Sequence, residues 1–87
     1  MSYERSELQP FIVAMENKLR KHDADKGDSW KDKNWSLKEI RMRIHDEFIE
    51  YYDSRNPDEL IDVANFVFFL WYHHVMLGQK ELWEDEL

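Results

Sequence analysis

The stretch from Leu60 to Val75, LIDVANFVFFLWYHHV, constrains the fold most. Read as a helix, it is apolar in nearly every direction. Leu60, Val63, Val67, Leu70 and Trp71 cover one side, and Ile61, Phe66, Phe68, Phe69 and Val75 cover much of the rest. A helix apolar all round must be buried all round. The chain has only 87 residues, enough for one domain with a thin core. Two other helices cannot enclose such a segment within one subunit. The prediction is therefore an all-α, three-helix subunit that completes a four-helix-type bundle with further copies of itself, as a dimer or tetramer.

Cap signals place the helices. Ser6-Glu7-Leu8-Gln9 reads as a capping box with Pro10 in the first turn, and Leu8, Ile12, Met15, Leu19 and His22 then mark one helical face. Polar residues around Gly27 read as a loop. Ser36-Leu37-Lys38-Glu39 is a second capping box, followed by the stripe Leu37, Ile40, Ile44, Phe48, Tyr51. Asn56, Pro57 and Glu59 signal a third start, and Gly78 a stop. Helices are predicted over 7–25, 37–53 and 57–77, with a single domain over 1–87, a core from about 8 to 77 and an acidic tail over 79–87. No β alternation is present.

Charge and composition narrow the function. The net charge of −7 argues against a general nucleic-acid binder, which needs a basic surface. The absence of cysteine excludes disulfides and thiolate zinc. The charged opening MSYERSELQP does not read as a leader, and the most apolar stretch is too short to span a bilayer. A cytoplasmic location with no membrane partner is the expectation.

Two acidic pairs carry the chemistry. Glu47 and Glu50 lie in HDEFIEYY, and Glu59 and Asp62 in PDELIDVANF. Spacing of i, i+3 puts each pair on one helical face. Two such helices packed antiparallel would aim four carboxylates at one point. In a chain that is 36% charged, such pairs also arise as plain solvated faces. Position favours a site here. Glu47 projects beside the apolar stripe, Asp62 shares a side with Phe66 and Phe69, and no Lys or Arg within the third helix can balance Asp62. Buried carboxylates need a cation or strong hydrogen-bond partners. Glu-x-x-His, the di-iron signature, is missing. His73 and His74 lie roughly 16 Å beyond Asp62 along a helix, and His45 points away from Glu47. An all-carboxylate set favours Mg²⁺, or Mn²⁺, and hence phosphate substrates.

At these residues the chain resembles the MazG-like, all-α nucleoside triphosphate pyrophosphohydrolases, whose motif is ExxE on one helix and ExxD on the next. Glu47-Phe-Ile-Glu50 and Glu59-Leu-Ile-Asp62 match it. DELIDVANFVFFL and KGDSW resemble small phage and archaeal members, and the likeness covers roughly residues 8 to 77. The resemblance implies cleavage of a nucleoside triphosphate to monophosphate and pyrophosphate, in a house-cleaning or dNTP-pool role. It implies Mg²⁺ on Glu47, Glu50, Glu59 and Asp62, with Glu50 as general base. It further implies base stacking on Trp30, a pocket lined by His22 or Lys21, substrate or ligand contacts from Asn65, and phosphate contacts from Lys26 and Lys31. The plain alternatives are a loop tryptophan packed on the bundle, an asparagine bonded within the core, and solvated lysines. The gap between Glu50 and Glu59 is shorter than is usual in that family. This leaves a rival: a helical-bundle interaction protein that kept the fold and lost turnover. A coiled-coil adaptor fits less well, because the heptads are not sustained past one helix.

Overall fold

The structure, a computed structural model, describes residues 5–80. Among these it is helical with no strand. Three helices dominate: α1 (Gln9–Lys26), α2 (Leu37–Ser54) and α3 (Asp58–Trp71). Short 3₁₀ turns at Ser6–Leu8 and Ser29–Lys31 lead into and out of α1, and a π-helical turn over Tyr72–Met76 extends α3. The part of the predicted acidic tail beyond residue 80 lies outside the described residues.

The second capping box forms as read. The Glu39 N–H donates to Ser36 Oγ at 3.1 Å, and the Ser36 hydroxyl bonds Glu39 Oε1 at 3.0 Å. The first does not, because the Ser6 hydroxyl turns to the neighbouring Glu7 carboxylate and the chain enters α1 through the 3₁₀ turn. Gly27 ends α1 with φ 65°, and its N–H closes on the Asp23 carbonyl at 2.8 Å. At the start of α3, Asn56 Oδ1 accepts from the Asp58 N–H at 3.0 Å. The prediction carried α3 to residue 77 as a regular helix. Instead the Leu77 N–H reaches the Tyr72 carbonyl, the i→i+5 bond of a π turn.

Only three residues join α2 to α3, so the two form an antiparallel hairpin, and α1 crosses α3. The core gathers on Trp30, Ile40 and Phe69, with Trp35, Ile44 and Phe66 packed around them. Trp30 lies parallel to Phe69, centroids 5.1 Å apart and planes 17° apart, and meets Tyr72 edge-on. Fully buried His73 ties the Trp30 loop to the end of α3: Nε2 contacts the Trp30 carbonyl and Nδ1 meets Gln79 Oε1 at 2.9 Å. Gln79 Nε2 in turn donates to the Lys33 carbonyl. The all-round burial expected of α3 is not met within one chain, since Val67 and Trp71 are 47% and 52% exposed. No helix among the described residues is long and apolar enough to cross a membrane.

Candidate metal centre and the cleft beside it

The α2–α3 hairpin brings the two acidic pairs to the same end of the molecule. Carboxylate oxygens of Glu47, Glu50 and Glu59 lie within 4.8 Å of one another. Asp62 adjoins this triad and hydrogen-bonds Glu59. Its other commitment overturns one sequence expectation. Asp62 does have a basic partner, because α1 crosses α3 and puts Lys18 Nζ 3.0 Å from Asp62 Oδ1.

The triad is electrostatically loaded. Glu47 is buried, at 5% exposure. Burial first, then a hydrogen bond and repulsion from Glu50, and a further push from Asp62, raise its carboxyl to about 7, against the pull of Arg43. The Glu59 carboxyl is also raised, by lost solvation first and then by Asp62 and Glu50. Near neutral pH the cluster therefore holds a proton between Glu47 and Glu50.

These residues fit Mg²⁺ on their own chemistry. All donors are carboxylate oxygens, the hard ligands that ion takes. Ligands opposite each other on Mg²⁺ stand about 4.2 Å apart, twice the bond length of about 2.1 Å. The triad needs to contract by only a few tenths of an ångström. A divalent ion would also replace the shared proton and relieve the repulsion that raises Glu47.

Beside the triad lies a cleft of about 620 Å³, whose walls include His22, Lys26, Trp30, Trp35, Arg43 and Phe69. Its size suits a small organic ligand. A smaller recess of about 320 Å³, lined by Lys18, Lys21, His22, Asp25, Lys26 and Asp62, shares His22 and Lys26 with it. Arg43 forms the wall between cleft and triad: its guanidinium bonds Glu47 Oε1 at 3.1 Å and lies over the Phe66 ring at 5.0 Å.

Of the substrate-contact residues read from sequence, His22, Lys26 and Trp30 line the cleft, and Lys21 lines the recess. Trp30 is 9% exposed, one ring face rests on Phe69, and Nε1–H donates to Asp23 Oδ1 at 3.2 Å. It is a core ring that reaches the cleft. Lys31 pairs with Asp28 at 3.8 Å and lies 5.2 Å from the Trp30 ring centre. Asn65 is buried; Nδ2–H donates to the Met15 carbonyl at 3.3 Å, and Oδ1 meets no protein partner. Sequence reasoning missed Lys18, Trp35 and Arg43. Arg43 precedes Glu47 by one helical turn, an i, i+4 spacing that pairs opposite charges. No family model matches the chain, and neither a curated protein nor a solved structure matches it.

Proposed function

We propose that the protein is a Mg²⁺-dependent nucleoside triphosphate pyrophosphohydrolase, acting in the cytoplasm as a homo-oligomer. The observation that carries this reading is the convergence of Glu47, Glu50 and Glu59 from two helices at the edge of an aromatic and basic cleft. The resemblance of the ExxE and ExxD pairs to those of the MazG-like enzymes supports it. When bound, Mg²⁺ would neutralise phosphate charge and acidify an attacking water. Glu47, Glu50 and Glu59 would hold it, with Asp62 as a fourth ligand. Trp30 and Trp35 would bound the base site, and His22 and Lys26, at the junction of cleft and recess, would face the phosphates. Water adds to phosphorus at the α–β anhydride, the P–O bond to the leaving phosphate breaks, and Glu50 takes the water proton. The products are a nucleoside monophosphate and pyrophosphate.

One observation favours the rival from another class. Asp62 is occupied by Lys18, as it would be in a bundle that has given up turnover and serves as an interaction protein. A panel of nucleoside triphosphates with Mg²⁺ or Mn²⁺, assayed for pyrophosphate, separates the two. Hydrolysis of at least one is expected, and Glu50→Gln should lower kcat by about 10²–10⁴, the usual contribution of a general base, while changing KM little. Release of pyrophosphate from none of the panel would reject the enzyme.

A further inference from the structure

Lys18 stands where the acidic cluster meets the lysine-lined recess. Its Nζ donates to Asp62 Oδ1 at 3.0 Å and to the Asp58 carbonyl at 3.2 Å. Asp62 in turn bonds Glu59, a member of the triad. On its other side Lys18 lines the recess with Lys21, His22 and Lys26. An ammonium group carries three donors on a flexible stem. One donor already rests on main chain, so Nζ can leave the carboxylate without losing every partner. Both Lys18 and Asp62 are about one-third exposed, so the pair is not sealed into the core.

We infer that Lys18 is the internal counter-cation of the cluster, exchanged for the divalent ion on loading and thereby turned into a phosphate-binding group. This rests on the function proposed above. Two cations cannot share Asp62 cheaply: a divalent ion and an ammonium a few ångströms apart repel, even through water. Loading the site therefore displaces Lys18 from Asp62. The recess, which already gathers Lys21, Lys26 and His22, is where a triphosphate would meet the freed ammonium. Metal affinity is held down by Lys18 until an anion arrives to take it.

Lys18→Met keeps the stem and removes the charge; Lys18→Arg keeps the charge. Two affinities decide the matter: Mn²⁺ alone, followed by its electron paramagnetic resonance, and inorganic triphosphate in the presence of Mg²⁺, followed by calorimetry. Lys18→Met should bind Mn²⁺ roughly tenfold tighter, the scale of a like-charge repulsion in a solvated setting, and triphosphate roughly tenfold weaker. Lys18→Arg should stay near wild type on both. Lys21→Met, which lines the recess without touching Asp62, should weaken triphosphate alone. A merely structural lysine would not tighten metal binding when removed. Unchanged or weaker Mn²⁺ binding by a folded Lys18→Met protein, or unchanged triphosphate binding, overturns the inference while leaving the proposed enzyme intact. Absence of Mn²⁺ binding by wild type overturns both. The expected opposite shifts without hydrolysis of any nucleotide would uphold Lys18 and reject the enzyme.

Discussion

A proton held between two carboxylates separates Glu47 from the other acidic residues of α2. Its carboxyl sits at about 7 in the folded chain, against an ordinary value of 4.5. Between those values the folded chain keeps a proton that the unfolded chain releases. Cation-free stability therefore falls as pH rises from about 4.5 to about 7, and then levels off. Glu47→Gln removes this dependence. The variant should gain on wild type between pH 4.5 and pH 8, by up to about 3 kcal/mol, in urea melts run with a chelator. Parallel stability profiles for the two proteins would show that the shared proton is not there. The four carboxylates themselves were legible in the sequence, because i, i+3 spacing fixes a helical face and nothing else has to be known. Arg43 was legible in principle by the same local rule. Lys18 was not: it meets Asp62 across 44 positions of chain, and the angle at which α1 crosses α3 is written in no local period.

At the scale of elements, the turn between α2 and α3 sets how closely the two acidic pairs approach. Arg55 turns it, with φ 56° and ψ 23°. A side chain in that left-handed region is strained, and glycine is not. The Arg55 N–H meanwhile closes α2 onto the Tyr51 carbonyl at 2.7 Å, a bond that glycine would keep. Arg55→Gly should raise stability by up to about 1 kcal/mol and leave Mn²⁺ binding unchanged. A loss of stability would mean that the arginine side chain contributes more to the turn than its backbone costs. The three helices were readable from caps and stripes because both are local signals. The end of α3 was not. The Tyr72 N–H lies between the Phe68 and Phe69 carbonyls, and a widening of the helix from that point leaves the apolar pattern unaltered.

For the molecule as a whole, the informative surface is the one that a single chain leaves bare. Trp71 and Val67 on α3 and Phe48 on α2 are each more than two-fifths exposed. Phe48 also adjoins Tyr52, centroids 6.5 Å apart, itself 72% exposed. The aromatic wealth of the sequence pointed to excess apolar surface, and the cap signals could not say which side would be left over. Assembly into a dimer or tetramer would cover it. Sedimentation at micromolar concentration should give a mass well above the 10.8 kDa of one chain, and Trp71→Glu should shift the protein towards that mass. A wild type that sediments as a folded monomer would end the oligomer reading. The π turn carries a last consequence, for how the gene can change. Such a turn is an α-helix with one residue more than its pitch requires. Deleting a single codon there would let the helix close, and everything beyond would swing by about 100°. Gln79 would leave both His73 and the Lys33 carbonyl, and the tryptophan loop would come loose from α3. Exposed Val75 and Met76 accept replacement readily, whereas the number of residues between Trp71 and Gln79 does not.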